Sequence, residues 1–277
     1  MENQNCLITG GTSGLGKELV KTFLQNNYIV YIIGKNRNKF NLLLKELPEK
    51  FIKKVFFFNI DLSEIKNISN NIVELKKINI NVLINNAGAI YLKKELNSKN
   101  LEKTFVINYL SHFYLTTQLI KNFSATDKKI IVNITSSAHH FSLLDIEKPI
   151  TNNRYNGWIT YFNTKLMNIL FTYKCNSTYE NAKSIAVHPG WVKTNFGNNN
   201  NSKLRNLLSY LRLFFAKNPK YVAQEIYKII DYKNINKEDC FYSINKKIKS
   251  SKKSYNIILQ NKLWAKSKKI LENEKLF

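Results

Sequence analysis

The chain has 277 residues, 44% of them hydrophobic, and a formal net charge of +24. That length and apolar share suit one large packed domain and exclude a disordered chain; no uncharged apolar run reaches the ~18 residues of a transmembrane helix, no secretory leader precedes Cys6-Leu7-Ile8, and the isolated cysteines Cys6, Cys175 and Cys240 make neither a disulfide framework nor a metal site. Lys rises together with Asn and Ile throughout, so the charge reads as compositional bias, and even the densest cluster, Lys246, Lys247, Lys249, Lys252 and Lys253, reads as a solvated loop rather than a nucleic-acid patch.

Residues 6–9 read as a buried strand and 15–24 as a helix with apolar residues at helical spacing. Residues 28–33 make a second strand, rich in β-branched and aromatic side chains, and 39–47 a helix stopped by Pro48. Strand 55–60 precedes helix 65–78, and strand 82–84 precedes a long helix over 101–120. Strand 130–134 precedes helix 161–173, and a sixth strand covers 184–187. Residues 191–216 are irregular, with an Asn run at 198–201. Helix 222–230, a short strand at 240–244 and a helix at 255–271 complete the chain. Strands alternating with helices need crossover connections, hence a mostly parallel sheet with helices on both faces. The strands are continuous apolar runs, as a sheet buried on both sides requires. With no repeat and no linker, the pattern predicts a single α/β domain over 1–277, doubly wound, with cleft segments at 137–157 and 191–216 and a C-terminal extension over about 245–277.

The turn between the first strand and helix is Thr9-Gly10-Gly11-Thr12-Ser13-Gly14-Leu15-Gly16. Small residues let a backbone turn sharply against a pyrophosphate, and the helix start offers free N–H groups and its positive dipole end. Glycine also serves ordinary tight turns; the strand–turn–helix context is what makes the run a nucleotide site. An NAD site usually carries an acid after the second strand for the ribose 2′-OH. Here that strand ends Gly34-Lys35-Asn36-Arg37, with no acid. Lys35 and Arg37 offer positive charge to a 2′-phosphate, which favours NADP(H) over NAD(H), although surface cations of a Lys-rich chain would look the same.

Tyr161 and Lys165 lie four apart on a predicted helix and share a face. A nearby ammonium stabilises a phenolate and lowers the pKa of the phenol, bringing it within reach of proton transfer near neutral pH. Alone, this pair carries little weight where Tyr and Lys are abundant.

It does not stand alone. Asp61-Leu62 follows the third strand, and Asn85-Asn86-Ala87-Gly88 ends the fourth. Asn108 lies in the next helix, and Val132-Asn133-Ile134-Thr135-Ser136-Ser137 ends the fifth strand. His188-Pro189-Gly190-Trp191-Val192-Lys193-Thr194 follows the sixth. In this order the motifs resemble the short-chain dehydrogenase/reductase family along most of the chain. Three features are most similar to its branch of retinol dehydrogenases and WW-domain-containing oxidoreductases. Ser136 and Tyr161 are 25 residues apart, which leaves an insertion after the fifth strand. The run Lys165-Leu166-Met167-Asn168-Ile169-Leu170-Phe171-Thr172 resembles that branch's catalytic helix. Phe214-Phe215-Ala216-Lys217-Asn218-Pro219, followed by Ala223-Gln224, resembles its C-terminal region.

The resemblance implies a Rossmann-type fold and NADP(H)-dependent interconversion of a lipophilic carbonyl and its alcohol. Tyr161 would be the proton donor. Lys165 would lower its pKa and bond the nicotinamide ribose, Ser136 (with Ser137 as fallback) would bond the carbonyl oxygen, and Asn108 would hold a water. The cofactor set would be Thr9, Gly10, Thr12, Ser13, Gly14, Leu15, Gly16, Lys35, Arg37, Asp61, Leu62, Asn86, Ala87, Gly88, Tyr161, Lys165, Pro189, Gly190, Val192 and Thr194, with no metal. It also implies a homodimer or homotetramer. The chain starts at its first strand, so the N-terminal anchor of membrane-bound members is not expected, and a cytoplasmic location is. A peripheral membrane contact stays open through Phe214, Phe215 and Trp264. His139 and His140 follow the serine and read equally as cleft-mouth or solvated loop residues, while His188 reads as structural. Trp158, Trp191 and Phe196 are candidates for lining the cleft, with ordinary packing the plainer reading. The alternative is a nucleotide-binding regulatory or scaffold protein of the same fold without turnover, but such relatives usually lack one of the four catalytic residues, and none is missing here.

Overall fold

The structure, a computed structural model, describes residues 4–121, 129–147, 155–192, 217–230 and 233–276. Its frame is one eight-stranded sheet: β1 (Asn5–Thr9), β2 (Ile29–Gly34), β3 (Val55–Asn59), β4 (Ile80–Asn85), β5 (Lys129–Ile134), β6 (Ala182–His188), β7 (Phe241–Ser243) and β8 (Lys246–Lys247). The order across the sheet is β3-β2-β1-β4-β5-β6-β7-β8. Every pairing is parallel except β7 with β8. The doubly wound expectation is therefore what the chain adopts. β8, which the sequence pattern did not reveal, caps the sheet with two exposed lysines, and charged lysines discourage pairing of an open edge with another chain.

Alternation along each strand divides the core. Cys6, Ile8, Val82 and Ile84 face one layer, where α1 (Gly14–Gln25), α2 (Arg37–Glu46) and a later helix supply Leu19, Phe23, Phe40 and Val222. Leu7, Leu83 and Ile131 face the other, against Ile68, Phe113 and Leu170. The sheet is thus covered on both sides, which is why its strands carry so few polar residues.

Among the described residues, the helices after α2 are a short turn α3 (Glu49–Ile52), α4 (Ile65–Lys76), α5 (Lys103–Phe105), α6 (Ser111–Ile120), α7 (Gly157–Thr178), α8 (Pro219–Lys228) and α9 (Ile257–Asn273). The Asn-rich composition has a structural use: Asn36, Asn156, Asn218 and Asn256 each accept a backbone N–H at the start of a helix, the strongest class of N-cap. The expected continuous helix over 101–120 is instead α5, a π turn over Val106–Leu110, and α6. Helical spacing does not reveal one inserted residue, and π turns gather at functional sites. Every residue of α6 is buried, and α9 covers the outer side of this layer. Its Trp264 packs edge-on to Phe113 at 5.0 Å and stacks on Phe171 at 5.9 Å. Trp264 is therefore part of the fold and not a free anchor for a lipid surface; Phe214 and Phe215 lie outside the described residues.

Candidate active site

The strand order reverses between β1 and β4, since β2 and β3 lie to one side and β4 to β7 to the other. Crossovers on opposite faces leave a crevice there, at the carboxyl ends of the strands. The structure has a cleft of about 720 Å³ at this place, reaching from the glycine turn to the end of β6.

Gly10, Thr12, Ser13, Gly14, Leu15 and Gly16 line one end. Gly16 is required by a close approach: a Cβ there would lie 2.2 Å from the Gly10 carbonyl oxygen and 2.6 Å from Asn86 Nδ2. The turn therefore folds back on the helix start and leaves it open to the cleft, which suits a pyrophosphate. Thr9 is different. It is wholly buried behind the turn, where its Oγ1 accepts from the N–H groups of Asn86 and Ala87 at 2.9 and 3.0 Å. It supports the cleft wall instead of lining it.

At the end of β2, Lys35 and Lys39 line the cleft but Arg37 does not. Its guanidinium lies over the Phe57 ring, 5.0 Å from the centroid, a cation–π seat that turns it aside. Lys39 takes its place as the second cation. Sequence reasoning passed over it, although the Asn36 cap, which accepts from Lys39 N–H at 2.9 Å, puts it in the first turn of α2 facing back. The missing acid is also supplied from the neighbouring strand: Asp61 lines the cleft with Leu62 and lies 3.7 Å from Lys35 Nζ. Asp61 is held by Ser63, whose N–H and hydroxyl donate to it at 2.9 and 2.8 Å.

Ser136, Tyr161 and Lys165 converge on the floor of the cleft. Ser136 follows β5 and caps the 3₁₀ turn Ser137–Phe141, and α7 carries the other two. The Tyr161 hydroxyl is hydrogen-bonded to Ser136, which pulls its pKa down, but burial outweighs that and pushes the phenol up to about 12. Lys165 Nζ lies 5.4 Å from the Tyr161 ring centroid and donates to the Ile134 carbonyl oxygen at 3.1 Å. Burial brings its pKa down to about 8. The expectation that Lys165 draws the phenol below its ordinary range is thus corrected: desolvation wins, and at neutral pH the pair is a neutral phenol beside an ammonium.

Asn108 sits beneath this floor in the π turn. Its Oδ1 accepts from Ala89 N–H at 2.7 Å, and its Nδ2 donates to the Ala89 carbonyl at 2.9 Å and to Thr164 Oγ1 at 3.2 Å. Thr164 in turn donates to the Tyr161 carbonyl at 2.7 Å. Asn108 therefore clamps the segment following Asn86-Ala87-Gly88 to α7, and its amide hydrogens are committed to protein. Gly157, missed in the sequence, permits the same approach, since a Cβ there would fall 2.3 Å from the Tyr91 carbonyl oxygen. The Asn156-Gly157 pair at the start of α7 was the signal.

Asn86, Ala87, Gly88, Pro189, Gly190 and Val192 also line the cleft, and Ser137 lines it beside Ser136; Thr194 and Phe196 lie outside the described residues. Trp158 and Trp191 stand at its walls, both partly exposed. Trp158 and Phe141 each pack on Phe162, at 6.2 and 5.8 Å between ring centroids. His188 lines the cleft, and its Nδ1 accepts from Gly190 N–H at 3.3 Å. His139 is neither a mouth nor a solvated residue: it is buried, with Nδ1 2.8 Å from the Ser136 carbonyl oxygen and Nε2 accepting from Ser251 N–H at 3.1 Å. Among the described residues no cluster of His, Cys, Asp or Glu could hold a metal ion, and no helix is long and apolar enough to cross a membrane.

A family model described as short chain dehydrogenase matches residues 4–205. Retinol dehydrogenase 11 of Homo sapiens is 30% identical over 224 residues, which cover 79% of this chain and 70% of its own. Polyprenol dehydrogenase of Homo sapiens is 28% identical over 273 residues, 94% of this chain and 83% of its own. A solved structure of ElxO with NADP bound superposes with a TM-score of 0.66 at 22% identity, covering 87% of this chain and 96% of that one.

Proposed function

Because this chain belongs to the short-chain dehydrogenase family, as an oxidoreductase of C=O and CH–OH groups in its retinol dehydrogenase-like branch, we propose that it is NADP(H)-dependent and interconverts a lipophilic carbonyl compound and its alcohol. The observation that carries this reading is the floor of the cleft. A Tyr161 hydroxyl bonded to Ser136, with the Lys165 ammonium behind it, faces the same space as the glycine turn.

The cleft fits a dinucleotide, since the Gly10–Gly16 approach leaves a cradle that a side chain would fill. Gly10, Gly14 and Gly16 would admit the pyrophosphate, Lys35 and Lys39 the 2′-phosphate, and Lys165 the nicotinamide ribose. A bound nicotinamide supplies or accepts the hydride at the substrate carbon. The chain's own residues handle the proton and the orientation. Ser136 donates to the carbonyl oxygen and fixes its distance from Tyr161. In the reductive direction Tyr161, a neutral phenol at pH 7, gives its proton to the developing alkoxide. The phenolate left behind faces the Lys165 ammonium, whose attraction for it grows as the charge forms in this desolvated place. The ammonium thus acts when charge appears, not before.

Trp158 and Trp191 in the cleft walls, with Phe162 and Phe141 packed beside Trp158, support an apolar substrate, as do the names of two relatives, which carry retinol and polyprenol. NADP in one neighbouring structure and NADH in another support a nicotinamide cofactor, and the choice of NADP(H) is supported by Lys35 and Lys39. The test is oxidation of NADPH and of NADH by the purified chain with long-chain apolar aldehydes and with short polar ones. Faster turnover with NADPH and the apolar set is the expected result. A folded chain that binds neither nucleotide contradicts the proposal.

A further inference from the structure

His112 opens the first turn of α6 and is 2% exposed. Its two ring nitrogens face different partners. Nδ1 lies 3.2 Å from the Asn108 carbonyl oxygen, and Nε2 lies 3.0 Å from Thr9 Oγ1. A carbonyl oxygen can only accept, so Nδ1 carries the hydrogen. Burial, together with the Lys165 charge, holds the ring's pKa down to about 3, so the ring is neutral and Nε2 is bare. Thr9 must then donate to Nε2. The same hydroxyl oxygen accepts from Asn86 N–H and Ala87 N–H, and its hydrogen has the Ile84 carbonyl oxygen, at 3.4 Å, as a second and longer acceptor. With the hydrogen on Nδ1 and the nearer acceptor taken, the proton order follows: Asn86 and Ala87 give to Thr9, Thr9 to His112, and His112 to Asn108.

The ends of that chain are the two halves of the site. Thr9 ends β1 one residue before the glycine turn, and Asn86 and Ala87 line the cleft. Asn108 clamps Ala89 and, through Thr164, the helix that carries Tyr161. We propose that His112 is a positioning residue, which holds the cofactor wall and the turn bearing Asn108 in one register, with one ring nitrogen assigned to each. This rests on the oxidoreductase reading above, because it assumes that both ends serve catalysis.

Two isosteric replacements separate the nitrogens. Asparagine places an N–H where Nδ1 was, and glutamine places an acceptor where Nε2 was. Retention of fold is checked by the melting midpoint, NADPH affinity by fluorescence titration, and the hydride step by single turnover with an apolar aldehyde. His112→Gln is expected to keep NADPH affinity and slow the bound-state hydride step about tenfold, and His112→Asn to keep that step and weaken NADPH binding about tenfold, the value of one buried hydrogen bond in each case. Equal losses in both quantities for both variants, or no loss in either, would overturn the proposal. If the variants do not fold, the wild type decides: ¹⁵N–¹H correlation must show a neutral His112 with its hydrogen on Nδ1, and a hydrogen on Nε2 overturns it. Failure of NADPH binding by the wild type would sink the oxidoreductase reading itself, so the two failures are distinguishable.

Discussion

Lys35 and Lys165 both face the cleft, in opposite surroundings. The Lys35 side chain is 59% exposed and lies 3.7 Å from a half-exposed carboxylate. Lys165 is 4% exposed, donates to a carbonyl oxygen and lies beside a phenol ring. Water screens the first, so its interactions are weak, salt-dependent and additive with those of Lys39. Nothing screens the second, so its charge is costly to hold and strong when an opposite charge appears. On the proposed reading, the glycine-turn wall would select a nucleotide by summing small surface terms on a backbone cradle, the floor would act through a few desolvated groups, and substitutions should separate the two.

The largest effect belongs to the floor. Lys165→Met should lower reductive turnover by about a hundredfold or more while melting no lower than the wild type. The sign follows from burial: a lysine whose folded pKa falls to about 8 from its ordinary 10.5 makes the folded state hold a charge it disfavours, a cost present in full below pH 8 and relieved as pH rises through 8 to 10.5. The wild-type reduction rate should also fall above pH 8, as the ammonium that meets the phenolate loses its proton. A Lys165→Met protein that is active, or that melts well below the wild type, would break the comparison.

Next is the cradle. Gly16→Ala places a methyl against the Gly10 carbonyl, so NADPH affinity should drop by about tenfold or more, with the rate from the bound complex little changed. Smaller still is the charge selection. Lys35→Ala with Lys39→Ala should raise the KM for NADPH about three- to tenfold and leave that for NADH alone, an effect that shrinks as salt is added. A salt-independent loss would mean that these lysines act as buried groups do.

The smallest concerns stability. His112, His139 and His188 are neutral, held at about 3, 4 and 4 chiefly by burial. Each binds a proton more readily when unfolded, near 6.5, so their contribution is full above pH 6.5 and is lost as pH falls towards 4. The melting midpoint should decline steadily between pH 6.5 and 4.

The tight glycine turn at one end of the cleft was legible in the sequence because backbone approach needs glycine at fixed spacing, and Thr9 to Gly16 shows it. Ser136, Tyr161 and Lys165 were legible as motif residues in a strand–helix context. What linked them was not. The π turn over Val106–Leu110 inserts one residue that helical periodicity cannot register. Arg37 looked like a cofactor cation because nothing local shows that Phe57, on the adjacent strand, holds it aside. Asp61 seemed unrelated to Lys35 for the same reason, since strand pairing brings them together. The tyrosine pKa was misjudged because four-residue spacing gives proximity to Lys165 but not how far the surrounding protein desolvates the phenol. His112 drew no notice, for its partners lie on β1 and in the π turn.

The account turns on Tyr161 as the proton donor on a floor separate from the nucleotide wall, and Tyr161→Phe tests that most directly. NADPH affinity should stay within about twofold of the wild type, while single-turnover hydride transfer to an apolar aldehyde falls about a hundredfold or more. Transfer at the wild-type rate in Tyr161→Phe would contradict the account.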